Sequence, residues 1–341
     1  MKKPLLLLLL GCMGLQCLSQ QDSVRKYLDE AFRFTNKRNA VYAAMAVKSD
    51  DHWLLYAVYP DTSTLLKLYY KDADLSVKDG LFILFHPQRV MAQKGFFKDN
   101  LPDGQWQSWY PNGQLKNEGM IVKNHLTGVW KSWYSNGQPM NEHSFFYDAA
   151  AEGTPVHQYS PAKKLQRVLD DFAPESRLEG RGINWYPNGQ KESEVQYHND
   201  TLSGLCTWYR ENGSISSQET YVNGLVTELA CFDSTGRNTG SACSILKLPV
   251  MVHPFFTALD YIEAELHKEK RRGVDEGEAI LNFTVTKEGK VTGLRFLDEG
   301  NASLHKVIAQ IVAGMPAWSP AVSHNRPIDY EMTLQVPYYK D

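Results

Sequence analysis

The hexapeptide WYPNGQ stands at Trp109–Gln114 and again at Trp185–Gln190, with a near copy, WYSNGQ, at Trp133–Gln138. A chain that repeats such a motif is built from one small unit used several times. Three copies align as GQWQSWYPNGQLKNEG from Gly104, GVWKSWYSNGQPMNEH from Gly128 and GRGINWYPNGQKESEV from Gly180. A fourth, GLCTWYRENGSISSQE from Gly204, carries its aromatic pair one residue early. Gly104 to Gly128 and Gly180 to Gly204 are each 24 residues, and a degraded copy, GLFILFHPQRVMAQKG, opens 24 residues before the first at Gly80. Gly128 and Gly180 are 52 residues apart, so 28 are inserted there.

Each period holds two turns. Asn112-Gly113, Asn136-Gly137, Asn188-Gly189 and Asn212-Gly213 suit a two-residue type I′ hairpin, which needs positive φ at both positions. A second turn falls at Lys123-Asn124-His125, His198-Asn199-Asp200 and Val222-Asn223-Gly224. The runs between are rich in Trp, Tyr and Val and have strand length. Each repeat is therefore a β-hairpin, and the stack is a long antiparallel meander. The adjacent rings of Trp109-Tyr110, Trp133-Tyr134 and Trp185-Tyr186 face opposite sides of such a sheet. One side should stack as core. The other would be an aromatic ladder suited to a sugar or a peptide. Glu118, Glu142, Glu192 and Glu219, near the second strand of each repeat, read as its wet face.

Flanking segments differ. Asp22–Arg38 has helical spacing through Val24, Leu28, Ala31 and Phe32, and Val41–Val47, Trp53–Tyr59 and Leu65–Tyr70 read as strands. Within an insert at about 150–178, Ser160-Pro161 before Leu165, Val168, Leu169 and Phe172 predicts a short amphipathic helix. From residue 252 the pattern changes. Phe255, Leu259, Ile262 and Leu266 mark a helix. Ala279, Leu281, Phe283 and Val285 alternate with Ile280, Asn282, Thr284 and Thr286 as a strand, and Lys287-Glu288-Gly289 turns it into Lys290–Leu297. Leu304, Val307, Ile308, Ile311, Val312 and Met315 form a second helix, with Ser303 as its cap and Gly314 and Pro316 ending it. A last alternating strand follows, giving a β-β-α-β order behind a helix.

Charge and motifs exclude more than they assign. A net charge of -3 and a pI near 6.4 give no electrostatic reason for nucleic acid. The ten histidines are dispersed, with no metal-ligand spacing, nucleophile elbow or phosphate loop. Asp72–Ser76 lacks the glycine of a calcium loop and reads as a turn. No cofactor and no enzymatic constellation is expected. Lys2-Lys3, the apolar Leu5–Leu10 and Cys17-Leu18-Ser19 form a signal peptide over 1–19, with Gln20 as the first mature residue. Two rivals stay open: lipidation at Cys12, or an uncleaved anchor, either of which would attach the chain to a membrane. All three place the chain outside the cytoplasm. Of the remaining cysteines, a Cys206–Cys231 bridge is disfavoured by strand alternation, and Cys231–Cys243 stays open.

The repeats, with G-x-W-x-x-W-Y-x-N-G recurring near every 24 residues from Gly80 to Gly236, resemble the bacterial variant of MORN repeats. That resemblance implies architecture and no shared chemistry. Lys287–Val291 (KEGKV), Met315-Pro316, Trp318, Pro320 and the last strand resemble the TonB C-terminal domain over about 90 residues. The expected fold is thus mainly β: a meander of 24-residue hairpin repeats over 80–240, after a leading region 20–79, followed by a small α+β TonB-like domain over 252–341. The resemblance implies a periplasmic or envelope module that pairs a partner's peptide, such as an outer-membrane receptor's, with its sheet edge. The residues so implied are Pro327, Ile328, Asp329, Tyr330, Glu331, Met332, Thr333, Leu334, Gln335 and Val336. The expected role is a non-enzymatic, extracytoplasmic protein-interaction scaffold; the alternative is an energy transducer in TonB-dependent transport. The absence of a Pro-rich arm and the short apolar segment favour the scaffold.

Overall fold

A computed structural model describes residues 23–30, 32–87, 89–147, 176–252, 257–268, 276–299 and 301–339. The segment 1–19, with Cys12, lies outside these residues. So does the expected insert helix; of 150–178 only 176–178 are described, and they lead into the strand Arg177–Trp185. The chain forms two compact units, Met1–Arg177 and Leu178–Asp341.

In the first unit, consecutive strands from Ser23–Leu28 to Pro139–Phe146 pair antiparallel with their neighbours in a meander. The expected helix over 22–38 is instead the strand Ser23–Leu28, paired with Tyr42–Ser49. Of its apolar residues Leu28 is buried, while Val24 is 41% exposed, so no apolar helical stripe forms. Phe32 sits at φ 59°, and Asp29 accepts a hydrogen bond from Arg33 N, so the chain turns there. Leu28, Leu55, Leu65, Phe82, Trp106 and Ile121 are buried in one core.

Two kinds of turn alternate along the repeats. The Asn-Gly turns are not type I′: glycine alone has positive φ, with Gly113 at 85° and Gly189 at 84°. Gly113 N donates to Tyr110 O and Tyr110 N to Gln114 O, which makes a three-residue loop with a bulge at the glycine. Ser135 and Glu211 stand in place of Pro111 in the same loop at Gly137 and Gly213, so the proline suits the first corner of the type I turn without being required for it. The paired positive φ values occur at the second turn, at Lys123 and Asn124 (48° and 69°) and at Asn199 and Asp200 (50° and 63°). The fully buried ring of the repeat is Trp106, outside the Trp-Tyr pair, at 2% exposure. Its ring lies on Gly95, where an added Cβ would come within 2.3 Å; Trp130 lies on Gly119 in the same way, at 2.2 Å. Trp109-Tyr110, Trp133-Tyr134 and Trp185-Tyr186 are half-buried, while Trp208 of the fourth pair is buried.

The second unit continues with antiparallel hairpins from Arg177–Trp185 to Leu225–Phe232. A three-stranded sheet follows, in the spatial order Val291–Phe296, Gly277–Val285, Tyr330–Tyr338. The helices Ala258–Lys268 and Ala302–Ala313 bury Ile262, Leu266, Leu304 and Ile308 with Leu281 and Phe283 of the central strand. The cap of the second helix is Asn301, not Ser303: Asn301 Oδ1 accepts from Ser303 N and Leu304 N, and from the Ser303 hydroxyl at 2.6 Å. Asn lies at the N-cap position itself, two residues ahead of the serine.

Candidate functional site

Three features of the second unit bear on function: an open sheet edge, a docked hairpin and the ladder under it. The expected ten-residue strand is broken. Pro327 and Ile328 belong to a short strand, Arg326–Ile328, paired with Ala321–Ser323. Asp329 lies between strands and accepts from Lys287 N at 2.7 Å. Tyr330 to Val336 lie in the last strand proper, Tyr330–Tyr338, whose whole length pairs with Gly277–Val285. Among the described residues no strand pairs with its other side.

Proline sets the polarity of that edge. Pro337 stands opposite Glu278 and has no N–H, so this pair exchanges no main-chain hydrogen bonds. Alternation gives the same status to the pairs Ile280–Gln335, Asn282–Thr333 and Thr284–Glu331. Ile280 agrees: its N–H goes to Asp298 Oδ1 and its carbonyl accepts from Leu297 N, both at 2.8 Å and away from Gln335. The main-chain N–H and C=O of Glu331, Thr333 and Gln335 therefore point to the unpaired side. Their side chains are exposed, while Met332, Leu334 and Val336 pack on the core.

Just before this strand, the hairpin Ala321–Ile328 docks on the repeats. Its turn residues His324 and Asn325 have φ of 49° and 59°, a type I′ pair. The His324 ring stacks on Trp208, with centroids 3.8 Å apart, and its Nδ1 meets Glu219 at 2.9 Å. Glu219 is wholly buried and also accepts from Tyr221 Oη at 2.6 Å and Ser217 Oγ at 2.8 Å. Burial acts to raise its carboxyl, but the bonds from His324, Tyr221 and Ser217 outweigh it and hold Glu219 below the ordinary range. Burial and the Glu219 bond push the Tyr221 hydroxyl up. Arg326, 8% exposed, donates from Nη1 to Tyr186 Oη at 2.7 Å, Tyr209 O at 3.1 Å and Glu192 O at 3.2 Å. The disulfide Cys231–Cys243 ties the last repeat strand to the segment whose Ser244 and Ile245 carbonyls accept from Asn325 N and His324 N.

Glu219 corrects the reading of the four glutamates as a wet face. Glu118, Glu142 and Glu192 are half-buried. Glu219 lies one residue off the register of Glu118, and one residue turns a strand side chain to the other face. In matching registers, Trp106 faces Gly119 and Cys206 faces Glu219, so Glu219 stands where the hairpin from Gly104 has glycine. The copies from Gly128 and Gly180 carry His143 and Val195 there, so the position has no constant residue from which Glu219 departs, and its burial was not legible in the sequence.

Along each unit the residue after the bulge donates to the next hairpin. Tyr59 Oη reaches Phe85 O at 2.7 Å, His86 Nε2 reaches Trp109 O at 3.0 Å and Tyr110 Oη reaches Trp133 O at 2.9 Å. In the second unit Tyr186 Oη reaches Tyr209 O at 2.8 Å, and Arg210 Nη2 takes the tyrosine's place on Phe232 O at 2.7 Å. The asparagines do likewise: Asn112 Oδ1 accepts from Gln114 N while Nδ2 donates to Ser135 O. The Asp72–Ser76 segment is a turn closed on the Asp72 carboxylate by Ser76 N and Val77 N.

No curated protein matches the chain. Residues 102–124, 126–146, 178–199 and 202–223 match the model of the MORN repeat variant, so these four hairpins are MORN repeat variants, and the hairpin from Gly80 shares their ladder without being part of the match.

Proposed function

We propose that the chain is a non-catalytic, extracytoplasmic interaction scaffold whose C-terminal module takes a strand of an envelope partner onto the edge Tyr330–Tyr338. One observation carries this reading: Glu331, Thr333 and Gln335 aim main-chain donors and acceptors at a side with no paired strand among the described residues. Strand addition draws affinity from such groups, each worth about 0.5–1.5 kcal/mol, and specificity from alternate side chains. The resemblance of residues 252–341 to the TonB C-terminal domain supports the same edge. The disulfide suits an oxidising compartment. The repeats hold the module through His324 and Arg326, so the edge is presented from a rigid base.

The test uses a photo-crosslinking residue in the full chain in its native envelope. Placed at Thr333 it should give a discrete adduct, and at Thr292, on the opposite edge strand, none. Gln335→Pro removes an outward N–H and should abolish the adduct, while Gln335→Ala keeps it. An adduct equal at both positions, or indifferent to the proline, rejects the reading.

A further inference from the structure

The inner face of the repeats in the first unit carries groups that neither the ladder nor the last strand uses. Gln93 stands opposite Ser108, Ser108 opposite Asn117, Asn117 opposite Ser132, and Ser132 opposite Asn141. Five uncharged amide and hydroxyl side chains thus cross five adjacent strands in direct register, a row about 19 Å long at the usual strand spacing. Beside the row stand Trp106 and Trp130, two strands apart. Between them opens a hollow of about 210 Å³, lined by these two rings, Ser108, Asn117, Ile121 and Leu126, together with Gln107. None of these is charged. At one end of the row Gln93 is 8% exposed, and its Oε1 is a buried acceptor without a donor among the described residues.

The repeats themselves say what such a place accepts. One hundred residues on, in an identical register, Ser108 and Asn117 correspond to Trp208 and Ser217, and Gly119 to Glu219. There the sheet face seats a planar ring, the His324 imidazole, flat on Trp208 and bonded to Glu219. In the first unit serine stands in place of that tryptophan and glycine in place of that carboxylate, and the Trp130 ring lies over the glycine. The hollow beside Trp130 is therefore lined without charge, and a ring seated there is held without an ion pair.

We propose that this face binds a neutral oligosaccharide, with one ring in the hollow and the next along Ser132 and Asn141. Sugar hydroxyls both donate and accept, which suits a row of amides and hydroxyls, and their apolar ring faces suit tryptophan. Phosphate and nucleic acid find no cation in the seat. An extended peptide finds no free main-chain edge at the hollow, because the strands that carry Trp106, Asn117 and Trp130 are each paired on both sides.

Calorimetric titration of the full chain with the tetrasaccharides of N-acetylglucosamine, β-1,4-glucose and α-1,4-glucose tests this. At least one should bind saturably, with Kd between about 10 μM and 10 mM. Trp130→Leu and Asn117→Asp should each weaken it by about tenfold or more, and Lys131→Ala should not. Should Trp130→Leu fail to fold, Asn117→Asp, alike in shape, carries the comparison. Lack of binding by all three sugars, binding indifferent to Asn117→Asp, or equal binding of a neutral tetrapeptide overturns the proposal. So does a photo-crosslinker at Ser132 that joins residues 148–175 of the same chain while no sugar binds.

Discussion

Glu219 and His324, 105 residues apart in the chain, meet at 2.9 Å, and their contact joins a repeat to the hairpin that precedes the open edge strand. A buried carboxylate is costly unless several donors satisfy it. Here Ser217, Tyr221 and His324 do so together, and the third donor arrives only when the hairpin docks. The position that glycine holds beneath a tryptophan in the first unit has become an attachment point in the second.

That contact predicts an acid limb. Glu219 has a lowered pKa in the folded chain. A group of this kind adds stability above its unfolded value, about 4.3, and the contribution is lost as pH falls through the folded value. Glu219→Gln should reduce stability at pH 7 by about 2–4 kcal/mol and flatten the fall below about pH 4.5. Urea melts between pH 7 and 3 measure both. An unchanged acid limb in the variant would assign it to other carboxylates.

Gly119 and Trp130 should behave as one unit. A methyl group on Gly119 meets the Trp130 ring at 2.2 Å. Gly119→Ala should therefore cost about 1–3 kcal/mol by overpacking. In a Trp130→Ala background the same change should be neutral, or stabilising by up to about 1 kcal/mol through the unfolded chain. Denaturant melts of the four proteins give the coupling, and simple additivity would show that the two residues do not share the space.

The repeats were legible in the sequence because both turns and the strand composition recur at a fixed spacing. What escaped depended on single residues. The Asn-Gly turn reads as type I′ by its dipeptide, yet the bulge after Ser108 makes it a three-residue loop with glycine alone at positive φ. Arg210 replaces a ladder tyrosine, which only the shared carbonyl target reveals. Within the helically spaced stretch 22–38, Ser23–Leu28 forms a strand because Tyr42–Ser49 offers it a partner, which local periodicity does not see. Glu219 shares a residue type with Glu118 and Glu142 and differs by one step of register. The open strand was visible in its alternation, but its start was placed too early. Asp329 breaks the pairing, and Pro327 and Ile328 belong to the docked hairpin.

The disulfide should hold the hairpin as well as the chain. Cys231 and Cys243 close a loop with a sequence separation of 12, for which chain entropy predicts about 3 kcal/mol. Cys243→Ser should lose about 2–3 kcal/mol in urea. It should also speed amide exchange at His324 and Asn325, which donate to Ile245 O and Ser244 O. Unchanged exchange at these two amides would mean that the cross-link stabilises the repeat alone.

Arg326 should resist replacement by lysine. One guanidinium nitrogen reaches Tyr186 Oη, Tyr209 O and Glu192 O within 3.2 Å, while Tyr186 Oη itself donates to Tyr209 O. A lysine ammonium is a compact point charge and lacks the planar geometry that lets arginine lie among these groups. Arg326→Lys should cost about 1–3 kcal/mol, and Tyr186→Phe about 1 kcal/mol. Because the tyrosine hydroxyl serves both the ladder and the arginine, the double variant should cost less than the two changes added. A double-mutant cycle in urea reads this directly. Strict additivity would separate the docking of Arg326 from the repeat ladder.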